Sequence, residues 1–157
     1  MMKKLLLVLI VAFTLLTGCA SVPLVQPRMP DASNRAEVVI FRESAFNAGG
    51  VGVSFGADEQ AFVTLGNSEY ASIFIPPGTY KFFVRARSAD PTTLSQTLKA
   101  GDRRCLRTVA DPSNLAKVVI PIVMMASGYG FLLEELPCPS GDQLAKYSRV
   151  DVEYQKP

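Results

Sequence analysis

From residue 36 to residue 110, apolar and polar positions mostly alternate with a period of two. That period sends successive side chains to opposite faces of a strand. Residues 36–43, Ala-Glu-Val-Val-Ile-Phe-Arg-Glu, open the series. Val39 and Phe41 share one face and Val38 and Ile40 the other. A strand apolar on both faces is predicted to lie centrally or under a cover, and Arg42 ends it. A loop over 44–50 finishes in Gly49-Gly50. Val51, Val53 and Phe55 then point inward, with Gly52 and Ser54 outward. Residues 56–59 read as a turn, and 60–65 return with Val63 and Leu65 inward, a hairpin whose loop is longer than two residues. Gly66-Asn67-Ser68 marks the next turn, because Gly and Asn tolerate positive φ. A strand over 69–75 follows. Pro76-Pro77-Gly78 is the strongest turn signal: proline presets φ at the first central position and glycine accepts positive φ at the second.

Beyond it, Tyr80, Phe82, Val84 and Ala86 point inward, and Lys81, Arg85 and Arg87 outward. Phe83 breaks the outward polar set and belongs either under a loop or in an exposed patch. After a turn at 88–91, Leu94 and Leu98 mark a strand ending at Ala100-Gly101. Residues 102–110 form another, with Arg103, Arg104 and Arg107 around Cys105, Leu106 and Val109. Residues 111–114 are a turn or helix cap. Residues 131–136 form a strand placed beside the Cys105 strand. Ser140 or Asp142 caps a short helix over 141–147 that buries Leu144 and Tyr147, and Val150 and Val152 close the domain. Short strands about ten residues apart, separated by turn residues, predict a mainly β fold: an antiparallel β-sandwich, immunoglobulin- or transthyretin-like, with one short C-terminal helix.

Two stretches break the period. At the start, Lys3 and Lys4 precede an apolar run from Leu5 to Leu16. As a helix that run reaches about 18 Å, short of a bilayer core of about 30 Å, so it suits a signal peptide. Leu16-Thr17-Gly18-Cys19 resembles the lipobox of bacterial lipoproteins. The resemblance implies cleavage before Cys19, lipidation of Cys19, and a domain held on a membrane by more than one acyl chain, which anchors stably. Ala20-Ser21 contains no aspartate, which by the same resemblance favours the outer membrane, with the domain facing the periplasm. Residues 1–18 are then the signal peptide, 19–35 the lipidated cysteine and an extended tether, and 36–155 the sandwich. The prolines at 23, 27 and 30 support a tether. The other reading packs Val22, Leu24 and Val25 on the domain as an irregular arm.

The second stretch is the apolar segment 116–133. Pro121, Gly128 and Gly130 interrupt it, which opposes a spanning helix. Either it packs on the core, or residues 122–129 form an exposed loop in which Met124, Met125 and Tyr129 touch a membrane or a partner.

Composition changes the picture in three ways. The chain has 16 Lys plus Arg and 14 Asp plus Glu. Losing Lys3 and Lys4 with the leader leaves 14 against 14, which removes the electrostatic case for nucleic acid. Histidine is absent, so neither a Ser-His-Asp triad, nor a Cys-His pair, nor a histidine metal site is present, and no cofactor is implied. Of three cysteines, Cys19 takes lipid. Cys105 and Cys138 are expected to pair as a disulfide in an oxidising compartment, the alternative being two buried thiols. Two thiolates alone are short of a metal site.

Arg42 after an apolar strand, Leu65-Gly66-Asn67 followed by Tyr70, Pro76-Pro77-Gly78-Thr79-Tyr80, and Ala100-Gly101 before an arginine-rich strand form an ordered set. It resembles a family of small bacterial lipoproteins that share a domain of unknown function, over residues 36–153. Its Pro-Gly-x-Tyr turn is similar to that of carboxypeptidase-regulatory-like and PEGA-type sandwiches. Ser68-Glu69 and Arg103-Arg104-Cys105 depart from the family pattern. The resemblance implies a fold and a location, and no chemistry.

The expected function is a non-enzymatic binding, assembly or structural module of the cell envelope, anchored to the membrane through Cys19, with another envelope protein as partner. Arg85, Arg87, Arg103, Arg104, Arg107, Met124, Met125 and Tyr129 are the candidate contact residues, although arginines on strands are commonly solvated faces paired with nearby carboxylates. The alternatives are an envelope enzyme acting on peptidoglycan, lipid or polysaccharide, and a small-ligand carrier. Adjacent Glu134 and Glu135 would face opposite sides of a strand and cannot act as a carboxylate pair.

Overall fold

A computed structural model describes residues 23–87, 89–115 and 128–156. The leader, Cys19, Met124 and Met125 lie outside the described residues, as does most of the 116–133 segment.

The fold is mainly β. Among the described residues nine strands follow in chain order: β1 (Ala36–Arg42), β2 (Val53–Ala57), β3 (Gln60–Leu65), β4 (Glu69–Ile75), β5 (Gly78–Ala86), β6 (Thr92–Leu98), β7 (Arg103–Ala110), β8 (Phe131–Leu136) and β9 (Ser148–Arg149). A short helix, α1, spans Gly141–Leu144. The strands form a five-stranded sheet, β8-β7-β1-β4-β9, and a four-stranded sheet, β3-β2-β5-β6. Both sheets contribute to one apolar core, with Val38, Ile40, Ile73 and Leu106 from the first and Phe55, Leu65, Phe82 and Val84 from the second. Phe55 and Phe82 stack at 5.6 Å.

As its pattern predicts, β1 is central, between β7 and β4. Its second face carries Val39 and Phe41, which join Cys105 in a smaller cluster covered by Leu144 and Tyr147. Tyr147 meets Phe41 edge-on at 5.6 Å. The covering segment is fixed at both ends. At one end Cys138 is bonded to Cys105 (Cα–Cα 5.0 Å); at the other, Ser148 N–H donates to Ser68 O and Val150 N–H to Tyr70 O. Between them Ser140 caps α1 through a capping box with Gln143. The helix ends at Leu144, shorter than the expected 141–147.

Several expectations are corrected. The pairing is not antiparallel throughout: β1 and β7 run parallel, as do β4 and β9. The chain leaves the sheet after β4 and rejoins it at β7 beside β1, a long-range choice that alternation cannot encode. Pro76-Pro77-Gly78 does not close a hairpin. It carries the chain from β4 in one sheet to β5 in the other, and Gly78 is not among the residues with positive φ. Its missing Cβ leaves room for the Tyr80 ring, 3.3 Å from where that atom would sit. The Tyr80 hydroxyl donates to Pro76 O at 2.9 Å, bracing the corner.

The β2–β3 loop is shorter than expected. Both strands continue to a two-residue turn, Asp58-Glu59, with φ of 49° and 71°. Two positive φ values make this the I′ geometry that matches strand twist. At the turn after β3 the positive φ belongs to Ser68, not to Gly66 or Asn67.

Residues 23–35 form an arm rather than a free tether. Leu24 bridges Ala61 and Arg28 bridges Gln155, both in parallel. Val25 N–H donates to Ala61 O at 2.7 Å. The Gln26 side chain also donates to Glu153 at 2.9 Å, while Leu24 and Val25 remain 53% and 36% exposed.

Candidate contact surfaces and a buried arginine

The outward face of β7 carries the alternation Arg103, Cys105, Arg107. Arg103 pairs with Glu37 at 3.2 Å. Arg107 bridges Glu43 at 2.9 Å and Glu134 at 2.6 Å, and these two hydrogen-bonded carboxylates hold its guanidinium above its ordinary pKa. Arg104, on the opposite face, binds Glu135 at 3.1 Å and Asp102 at 3.6 Å. Thus Glu134 and Glu135 point to opposite sides of β8, and each meets an arginine of β7. The three arginines form a mixed-charge ladder of the kind that exposed strands carry, with local carboxylates as partners. Arg87 lies in the turn after β5. Tyr129 is half-buried and packs against the main core, in keeping with the core-packing alternative for its segment.

Arg85 lies elsewhere, on the outer face of the four-stranded sheet. Lys81, Phe83 and Arg85 project from one face of β5. Phe83 is paired with Gly56 on one side and Thr93 on the other. With Asp58, Glu59 and Thr93, these residues line an open cleft of about 560 Å³. Its floor is Phe83, 6% exposed, the residue that broke the outward polar set. Asp58 Oδ1 accepts from Lys81 N–H at 3.0 Å, which seats the acidic turn at the Lys81 end. No salt bridge of the described residues includes Asp58, Glu59, Lys81 or Arg85. The cleft therefore presents a mixed end, where Asp58 and Glu59 outnumber Lys81, an aromatic floor, and Arg85 at the other end.

Two polar residues that the sequence reading placed at element ends lie in the interior. Arg42 is fully buried. By parity with Ala36, Val38 and Ile40 it faces the main core. Its guanidinium donates from Nη2 to Ala48 O at 2.6 Å, and from Nη1 to Leu65 O at 3.0 Å and to Val51 O. It sits over the Phe131 ring at 4.9 Å. Burial lowers its pKa, and Glu69 opposes that shift. No carboxylate bonds it among the described residues; carbonyl dipoles and a ring face contact the permanently charged group, and Glu69 acts on it through space without a bond. The sequence signal was its inward parity.

Asn114 is also fully buried. Its side chain donates to Gly130 O at 2.8 Å and accepts from Gly130 N–H at 3.0 Å, clamping the entry of β8 to the exit of β7. This is a tertiary role that the expected turn or cap did not foresee.

Among the described residues no group of three or more Cys, Asp or Glu is arranged to hold a metal ion, and no helix is long and apolar enough to cross a membrane. In comparison with known proteins, the chain matches no family model and no curated protein.

Proposed function

We propose that the protein is a membrane-anchored bacterial envelope lipoprotein whose domain serves as a non-enzymatic binding or assembly module. The lipobox-like Leu16-Thr17-Gly18-Cys19 supplies the anchor. The observation that carries the reading is the arm: the chain is fastened to β3 at Leu24, five positions after Cys19. At about 3.6 Å per residue, at most about 18 Å separates the acylated cysteine from the domain. A free chain to Ala36 would span about 60 Å on the same measure. The domain is thus held close to its membrane, at a set face, as suits a component that presents a surface to neighbouring envelope molecules. We place the two sheets in the broad immunoglobulin- and transthyretin-like class of sandwiches. The change of sheet at Pro76-Pro77 and the Tyr80 hydroxyl bond to Pro76 O support this, since such sandwiches use a tyrosine to brace a corner. The 105–138 disulfide fits an oxidising envelope compartment.

The test is direct. Intact mass of the chain from a bacterial envelope is expected to show loss of residues 1–18 and addition of acyl groups, both lost in Cys19→Ala. A mature chain without acyl mass removes the anchor. Crosslinking in intact cells is expected to capture an envelope component; reproducible turnover lost on mutating one residue would overturn the non-enzymatic reading.

A further inference from the structure

The cleft on the outer face of the four-stranded sheet is amphoteric. Asp58 and Glu59 stand at one end beside Lys81, leaving that end with an excess of one negative charge, and Arg85 stands at the other, with Phe83 between them. Lys81 and Arg85 are four residues apart on one strand, about 13 Å. That separation is too long for the two charges of a phosphoethanolamine headgroup, but it matches an extended chain of about four residues. The volume, about 560 Å³, lies within the usual range for ligand sites.

Backbone conformation points the same way. Glu59 adopts φ of 71° as the second central residue of the I′ turn, where glycine is favoured and a glutamate is strained. The turn would be more stable with glycine. Glu59 thus carries its carboxylate at a backbone position that disfavours it, and that position borders the cleft. We propose that this cleft binds a short extended peptide with free ends, its ammonium directed to Asp58 and Glu59, its apolar middle over Phe83 and its carboxylate on Arg85. Polyanions fit less well, because the two carboxylates offset the two cations.

The proposal stands whether or not Cys19 is acylated. Its test is isothermal titration of the full-length chain in detergent with unblocked Ala-Leu-Leu-Ala. Saturable binding at millimolar concentration or below is expected, weakened at least about tenfold when the peptide is acetylated and amidated. Arg85→Gln is expected to weaken binding by a similar factor. Glu59→Gly is the decisive variant: it is expected to raise the melting temperature, by relieving the positive φ, while reducing affinity about tenfold. Absence of saturable binding would overturn the proposal, as would binding indifferent to both substitutions. Equal or tighter occupancy by phosphoethanolamine or inorganic phosphate would replace the peptide with a phosphate-bearing ligand and so also overturn it.

Discussion

Replacing Arg42 tests whether a charge buried without a carboxylate holds this fold together. Arg42→Met keeps most of the side-chain length and removes the charge and every donor. Three carbonyls, of Ala48, Val51 and Leu65, lose their guanidinium partner. Bonds to a charged group contribute about 1.5–3 kcal/mol each, a gross loss of about 4.5–9 kcal/mol. Part of this is offset, because returning a buried charge to water on unfolding recovers several kcal/mol. Leaving three buried carbonyls without a donor costs about 1–3 kcal/mol each, and after the offset a net loss of about 3–5 kcal/mol is expected. Against a typical total of about 5–15 kcal/mol it is large. At roughly 3–5 °C per kcal/mol for a domain of this size, the melting temperature falls by about 9–25 °C. The assay is urea unfolding of oxidised protein, with an unchanged slope confirming that both proteins unfold the same surface. Arg42→Lys is expected to recover only part of the loss, because a single ammonium cannot reproduce the fork. A loss below about 1 kcal/mol for Arg42→Met would refute the reasoning; the carbonyls would then be satisfied without the guanidinium.

Three further outcomes are expected. Replacing both Cys105 and Cys138 by alanine opens a loop of sequence separation 33; the chain-entropy model gives a loss of about 3.8 kcal/mol, measured by urea unfolding, with amide exchange rising first around α1 and Tyr147. In Gly56→Ala the new Cβ would lie 1.9 Å from Gln60 O and 2.7 Å from Ala61 Cα, so the β2–β3 turn must deform at a cost of about 3 kcal/mol or more; an unchanged midpoint would show that the hairpin is loosely held. Burial raises the pKa values of Tyr80, Tyr147 and Tyr154 above 10.0. The folded state then binds more protons than the unfolded state above about pH 10, so stability is full below that pH and falls as pH rises through the folded values. The pH slope of the melting temperature is expected to flatten in the Tyr80→Phe, Tyr147→Phe double variant, and an unchanged slope would exclude these hydroxyls as its source.

The sequence by itself determined the strands, because a half-buried strand writes its two faces into alternate residues. The bounds of β3 and β4 and the inward set on β5 follow from local pattern and turn residues. The two-faced character of β1 likewise told that something covers it. Cys105 and Cys138 were legible as a pair through their number, once Cys19 is set aside as the cysteine expected to carry lipid. Only the tertiary structure decided what depends on partners distant in the chain. It made the β1–β7 pair parallel, turned the proline corner into a change of sheet, and converted the tether into an arm that pairs with Ala61. The same holds for the polar interior. Arg42 and Asn114 look like ordinary punctuation in sequence, because the carbonyls that accept from them come from other segments of the chain. The cleft was half legible, since Phe83 stood out of pattern. Its acidic end was not, because the I′ turn that places Glu59 there has Asp58 at its first central position but lacks the glycine that normally announces it at the second.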